Sequence, residues 1–172
     1  MELLKEFIRN KAITDLNGKT YYRKAVRGVI IKDNKLLMVY SAKDGDYKFP
    51  GGGVKEGETL MAALAREVNE ESGAKVISVN GELGRVIEFD LSIKAEYDIF
   101  KMESFYYICD VSPDFGSQSL DDYEQELGFT PVWVDIDEAI SVNQALICSD
   151  KHPRWTPRET FMLGFIKDKF ML

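Results

Sequence analysis

The sequence predicts a mixed α/β fold, in which strands lie on either side of a central helix and further helices form the end of the chain. Residues 21–40 and 75–112 contain runs rich in β-branched and aromatic side chains, which favour strands. Residues 59–73 and 156–170 repeat apolar side chains at a spacing of three to four, which favours helices. A length of 172 residues suits one domain, residues 1–172, with a sizeable core.

The composition is that of an ordinary soluble protein, with 45% hydrophobic and 30% charged residues. Cys109 and Cys148 are too few and too far apart for a disulfide framework or a zinc site. Because the start of the chain also lacks a signal-peptide pattern and no stretch is apolar enough for a membrane span, we expect a cytoplasmic protein. The net charge of −7 argues against a general nucleic-acid binder, but a small phosphorylated substrate remains compatible with it.

The N-terminal segment, residues 1–13, places four apolar side chains at helical spacing: Leu3, Leu4, Phe7 and Ile8. This pattern predicts a short N-terminal helix that ends near Asn10. A helix this short needs tertiary support. Packing on the domain and a contact in a homodimer would both provide that support.

The following elements are predicted from turn and cap signals. Asp33 and Asn34 separate two strand-like runs, residues 21–32 and 35–40, and so predict a β-hairpin. Residues 130–134 predict a further strand. Capping-box spacings at residues 135–138 and 156–159 predict two more helices, the last of which covers residues 157–171.

The central helix carries three carboxylates on one face. Thr59 is its predicted N-cap and Gly73 its stop signal. Glu67, Glu70 and Glu71 then lie within an arc of about 100° beside the apolar stripe. Such crowded negative charge calls for a cation, and carboxylate oxygens favour Mg²⁺ or Mn²⁺. The alternative is a solvated acidic helix face.

The wider spacing decides between these alternatives. Residues 52–74 follow the pattern G-x5-E-x7-R-E-U-x-E-E-x-G-U, where U is a bulky aliphatic residue, and only Ala74 is smaller than usual. This stretch resembles the Nudix box. The resemblance implies an α/β/α sandwich with a mixed, partly antiparallel sheet. It also implies a Mg²⁺-dependent pyrophosphohydrolase, with Mn²⁺ as a possible substitute, that cleaves a diphosphate linkage by attack of water on phosphorus.

The resemblance also implies roles for individual residues. The metal ligands would be the Gly52 carbonyl and three glutamates, Glu67, Glu70 and Glu71. Arg66 would orient the box, Glu58 and Gly73 would support it, and Gly51 and Gly53 would let the backbone approach phosphate. The base that activates water would be Glu70 or a residue of the acidic loop 113–128, in which Glu124 and Glu126 are the candidates. A solvated loop is the alternative for those two residues.

The substrate is left open at this stage. A nucleoside triphosphate or another small nucleoside-diphosphate derivative is the first expectation, and ADP-ribose, sugar nucleotides and dinucleotides are the alternatives. A catalytically silent nucleotide sensor would need no such complete carboxylate set. An enzyme acting on RNA 5′ ends would need a basic channel.

Overall fold

The computed structural model describes residues 1–149 and 151–171. Within them the strands are β1 (Leu3–Ile8), β2 (Thr20–Val29), β3 (Ile31–Lys32), β4 (Lys35–Ser41), β5 (Tyr47–Lys48), β6 (Val76–Leu91), β7 (Ile99–Val111) and β8 (Phe129–Asp135). The helices are α1 (Leu60–Ser72), α2 (Asp122–Leu127), α3 (Ile136–Cys148) and α4 (Thr156–Phe170). None of the helices in the described ranges is long and apolar enough to cross a membrane.

The strands form two sheets with mixed pairing. The first has the order β1-β6-β7-β2, in which β6 and β7 are antiparallel while β1 and β2 run parallel to their neighbours. In the second, β4 lies between β8 on one side and β3 with β5 on the other, all antiparallel. The predicted mixed, partly antiparallel arrangement is confirmed.

Helices cover both faces of these sheets. Because side chains alternate along a strand, β4 sends Leu37 towards α1 and sends Leu36 and Met38 to the opposite face. Leu37 belongs to a buried cluster with Leu64 and Val68 of α1. The opposite cluster joins residues of β2, β4, α3 and α4: Val29, Leu36, Met38, Ile136, Ala139, Met162, Leu163 and Ile166. The layers therefore form the α/β/α sandwich that the sequence predicted.

Helix α1 begins and ends where its cap residues predicted. The Thr59 hydroxyl accepts a hydrogen bond from the Ala62 N–H at 3.2 Å. Gly73 adopts a left-handed conformation with φ of 72° and donates its N–H to the Asn69 carbonyl at 2.8 Å. These local bonds satisfy backbone groups at both helix ends, which explains why the sequence was sufficient to place this element.

The predicted N-terminal helix is wrong, because residues 3–8 form the edge strand β1 parallel to β6. Leu4 and Phe7 still face the core, since the pairing register is irregular between Leu3 and Lys5. The Phe7 ring also packs edge-on against Phe161 of α4 at a centroid distance of 5.9 Å. An unpaired edge of β6 and an apolar surface on α4 stabilise a strand here over an isolated short helix.

Three further predictions need correction. The hairpin turn at Asp33 and Asn34 exists, with φ of 50° and 59°, but it joins only β3 to β4. The longer run β2 instead pairs with β7 in the other sheet. The acidic loop contains the short helix α2, which starts with an Asp121–Glu124 capping box. Helix α4 is capped by Trp155, and Thr156 is already its first residue, so the predicted second capping box does not form.

Candidate active site

Arg66 organises the carboxylates of α1. Its guanidinium donates two hydrogen bonds of 2.8 Å to the Glu58 carboxylate, and one each to Glu67 at 2.6 Å and Glu70 at 2.9 Å. It also donates to the Gly53 carbonyl at 3.0 Å. These bonds lower the pKa of Glu58 to about 2, with the Arg66 hydrogen bond as the main cause. One side chain thus connects the glycine loop, Glu58 and two of the predicted metal ligands.

Gly52 lies against the Glu67 carboxylate. A Cβ atom at Gly52 would overlap that carboxylate, so only glycine allows the loop backbone to come this close. The Gly52 carbonyl accepts the Val26 N–H at 2.9 Å, which leaves one lone pair free. Burial raises the pKa of Glu67, while Arg66 opposes that shift.

Glu71 is fully buried beneath the same loop. Its carboxylate accepts the Gly51 N–H at 2.8 Å and forms an ion pair with Lys48 of β5. The Lys48 ammonium also lies 4.2 Å from the centre of the Phe129 ring. Glu71 therefore holds the loop and β5 together, with its charge compensated by a lysine that the sequence analysis did not identify.

The acidic segment before α2 is fixed to the end of α1. Ser119 donates its N–H to the Glu70 carbonyl at 2.8 Å, and Gly116 donates to the Gly73 carbonyl at 2.8 Å. A Cβ at Gly73 would overlap the Gly116 carbonyl, which adds to the reasons for glycine there. Helix α2 is thereby held beside the carboxylate face of α1.

The structure separates the two candidate bases of α2. Glu124 is half-buried beside the glycine loop, and burial raises its pKa to about 7. Its carboxylate accepts the Asp121 N–H at 3.0 Å. The Glu126 side chain is 69% exposed and pairs with Lys43 at 2.6 Å, away from the α1 carboxylates. Of the two, only Glu124 is brought together with the other predicted residues.

Two cavities meet at this point. One, of about 410 Å³, lies over the α1 face and is lined by Glu67, Glu70, Arg66 and Lys55 among others. The other, of about 350 Å³, has aromatic walls and several basic side chains: Phe100, Tyr123, Phe129, Trp155, Arg9, Arg27, Lys48 and Arg158. Arg23, Gly53, Asp121 and Glu124 line both cavities. The arrangement offers a carboxylate-lined space beside an aromatic, cationic one.

The sequence analysis missed the residues that come from β2 and from the start of α4. Arg27 donates to the Gly51 carbonyl, and its buried Nε has no hydrogen-bond partner among the described residues. Arg23 is exposed, and its guanidinium lies where a Cβ at Gly53 would be. Trp155 lies 104 positions from Gly51 in the chain, so no local spacing could have revealed it. Only the R-x3-R spacing of β2, which puts both arginines on one face, was a usable signal.

The described residues contain no group of three carboxylate, imidazole or thiol side chains close enough to form a metal cage. Arg66 bridges Glu67 and Glu70, and Lys48 neutralises Glu71. The donor set itself fits a hard divalent cation, because it consists of carboxylates and a backbone carbonyl. The Gly52 backbone lies against the Glu67 carboxylate, so the loop and the helix carboxylate belong to one site.

The family model of the NUDIX domain matches residues 21–158, which include β2, the glycine loop, α1, α2 and the start of α4. The chain belongs to the NUDIX family. The match begins after β1 and ends within α4, so these two elements extend the Nudix core that the family model covers.

Individual relatives are similar over parts of the chain. An 8-oxo-dGTP diphosphatase from Buchnera aphidicola is 42% identical over 60 residues, which are 33% of this chain and 46% of that protein. An RNA pyrophosphohydrolase from Helicobacter pylori is 32% identical over 88 residues, 48% of this chain and 57% of that protein. The chain thus spans about half the length of these curated relatives. A solved NUDIX hydrolase from Nitrosomonas europaea shares the fold, with a TM-score of 0.52 and 22% identity over 77% of this chain and 80% of that one.

Proposed function

We propose that this Nudix protein is a metal-dependent pyrophosphohydrolase that cleaves the diphosphate linkage of a nucleoside triphosphate or another small nucleoside-diphosphate derivative. The observation that carries the proposal is the junction of the two cavities. A carboxylate-lined space suits metal-bound phosphates, and the adjoining aromatic space suits a base. Both relatives described above are named as enzymes that cleave diphosphate linkages in nucleotides or RNA.

In this proposal Glu67, Glu70 and Glu71 hold Mg²⁺ or Mn²⁺ together with the Gly52 carbonyl. When bound, the metal neutralises the diphosphate and stabilises the charge that moves to the leaving oxygen. Arg66 keeps the carboxylates in place through its bonds to Glu58 and Gly53. The whole set comes from one helix and the loop before it.

Glu124 is the proposed general base. It lies at the junction of the cavities, where a water molecule attacking a bound diphosphate has to be deprotonated. A carboxylate with a pKa of about 7 is suited to accept that proton near neutral pH. Helix α2 holds the side chain there through its capping box, and the bonds of Ser119 and Gly116 to α1 hold the preceding segment.

The basic side chains explain how an acidic protein takes an anionic substrate. The net charge of −7 repels phosphate at long range, but Arg23 and Arg27 lie beside the glycine loop. The exposed Arg23 borders both cavities, where the phosphate next to the nucleoside would pass. We propose that these two arginines contact phosphate oxygens of the substrate.

A substrate panel tests the proposal. We would measure phosphate release, with a coupling phosphatase where needed, from ATP, GTP, 8-oxo-dGTP, ADP-ribose, a sugar nucleotide, a dinucleotide and a 5′-triphosphorylated RNA. Each would be assayed with Mg²⁺, Mn²⁺ or EDTA. We expect metal-dependent turnover of a small nucleotide. Preference for the RNA, with steep salt dependence, would move the assignment to RNA 5′ ends. Nucleotide binding without any turnover would favour a sensor.

Three predictions from the sequence accompany this proposal. We propose that residues 1–172 form one domain. In support, β1 and most of α4 lie outside the residues that the family model matches, and they pack on each other through Phe7 and Phe161. Cytoplasmic location stays a prediction, to be checked by cell fractionation. A homodimer also stays a prediction, to be checked by light scattering of the purified protein.

A further inference from the structure

A buried carboxylate outside the α1 site contacts the aromatic wall of the substrate cavity. Asp46 lies in the loop between β4 and β5 and is completely shielded from solvent. Its Oδ2 atom accepts the indole N–H of Trp155 at 2.8 Å and the Thr156 hydroxyl at 3.0 Å. Its Oδ1 atom has no hydrogen-bond partner among the described residues. Two parts of the chain 109 positions apart are joined by this contact.

The buried charge of Asp46 lowers the stability of the fold. No lysine, arginine or histidine of the described ranges forms an ion pair with it, and its charged neighbours Glu159 and Asp44 are both negative. Burial is the main cause that raises its pKa, to about 6. Burying a carboxylate without a counter-ion opposes folding, and a neutral side chain of the same shape would accept the same two hydrogen bonds only more weakly. Charged groups kept at such a cost are typical of functional positions.

The partner of Asp46 forms part of the aromatic cavity. Trp155 is half-buried, packs against the cluster of Val39, Leu127 and Phe129, and lines the cavity. It stands at the N-cap of α4, where it makes no side-chain capping bond. Among the described residues, the indole N–H donates a hydrogen bond only to Asp46. This bond restricts the side-chain torsions that place the ring at the cavity wall, in addition to the apolar packing.

From these contacts we infer that Asp46 is a positioning residue, which fixes the Trp155 ring as the stacking surface for the aromatic base of the substrate. The inference rests on the proposed function, because it assumes that a nucleoside enters this cavity. Asp46 touches neither the substrate nor the α1 carboxylates. Asp46 acts by holding the indole ring in place. It therefore affects binding of the base, whereas the residues near α1 carry out the chemical step.

A double-mutant cycle tests the inference. Trp155→Phe keeps a smaller aromatic ring and removes the N–H donor, and Asp46→Asn replaces the charged acceptor by a neutral one. Each single change is expected to raise KM about tenfold, because Asp46→Asn weakens the charge-assisted hydrogen bond and Trp155→Phe removes it, with a much smaller change in kcat. In the Trp155→Phe background, Asp46→Asn should add almost nothing, because the two residues act through one bond.

Asp44→Asn is the matched control. Asp44 lies in the same loop, two positions away, and contacts Ser41 rather than Trp155. This variant should keep the KM of the wild type. Full additivity of the two KM effects, or an equal rise in KM for Asp44→Asn, would overturn the inference. If Asp46→Asn fails to fold, a wild-type KM in Trp155→Phe is enough to overturn it, and an increase of about tenfold supports it.

A binding measurement without turnover separates this inference from the proposed function. The chain has two tryptophans, so Trp133→Phe leaves Trp155 as the single fluorescent reporter. Titration with AMP or GMP in EDTA should quench its fluorescence, and Asp46→Asn should weaken that binding about tenfold. Quenching that is unaffected by Asp46→Asn overturns the positioning role even if hydrolysis is found. Quenching that depends on Asp46 supports it even if no substrate is hydrolysed.

Discussion

Replacing Glu124 by glutamine should remove the general base while keeping the fold. Glutamine has nearly the same shape, and at the third position of α2 it can still accept the Asp121 N–H, as in other capping boxes. Loss of a positioned base lowers kcat by about 100- to 10,000-fold. Glu126→Gln is the matched control two positions away, since Glu126 is exposed and its surface pair with Lys43 contributes little to stability.

The assay is the rate of phosphate release from the best substrate of the panel at saturating Mg²⁺, with circular dichroism melts to verify folding. In the wild type the rate should fall as pH drops below about 7, because protonated Glu124 cannot accept a proton. The Glu126→Gln enzyme should show the same rate and the same pH profile. A folded Glu124→Gln enzyme with a rate near that of the wild type, or a comparable loss in Glu126→Gln, would refute the assignment of the base.

Three further predictions concern buried charges. Glu71→Gln should lower turnover by about 100-fold or more with the fold intact by circular dichroism, because it removes one proposed metal ligand; normal turnover in the folded variant would contradict this role. Arg158→Met leaves Glu159 buried without its cation and Glu88 with Arg9 alone, and should cost about 3–5 kcal/mol, which lowers Tm by roughly 6–20 °C. An unchanged Tm in calorimetry would show that the ion pairs do not hold α4. Asp46 has a pKa of about 6 in the fold against 3.8 for the free side chain, so the stability that its protonated form contributes is lost as pH rises through that range. The free energy of unfolding of Asp46→Asn, relative to that of the wild type, should therefore rise by about 3 kcal/mol between about pH 4 and about pH 8. Urea unfolding that shows the same difference at every pH would contradict this.

Local signals were sufficient for the central helix and its carboxylates. Thr59 and Gly73 cap α1 through hydrogen bonds to residues no more than four positions away. The local sequence is therefore sufficient to predict where this helix begins and ends. The spacing of the Nudix box likewise lies within 23 residues, and the structure brings its glutamates, Arg66 and the glycine loop together as that spacing requires.

Elements that depend on distant partners were predicted less well. The pattern LLKEFI suits a short helix or an edge strand equally, and only the free edge of β6 decides for β1. The run of β2 looked like half of a hairpin, but its partner β7 lies about 80 positions away. The capping box of α2 is visible at Asp121 and Glu124, but residues 113–128 carry no strong apolar period, so the sequence predicts a loop there.

The surroundings of the carboxylates could not be predicted, because they come from three separate elements. Lys48 lies on β5, Arg27 on β2 and Trp155 at the start of α4. Each is an ordinary residue in its own segment, and only the folded chain shows that they share one cavity. The same holds for Asp46, whose loop carries no motif that marks the contact to Trp155.

The most direct test of the account is a metal-exchange cycle on one enzyme sample. Turnover of the best panel substrate would be measured in Mg²⁺, then after excess EDTA, then after Mg²⁺ is restored, in the wild type and in Glu70→Gln. We expect activity that is lost and regained in the wild type and is far lower throughout in the folded variant. Undiminished hydrolysis in EDTA, or equal rates in the two proteins, would contradict the central claim that the carboxylates of α1 act through a divalent metal.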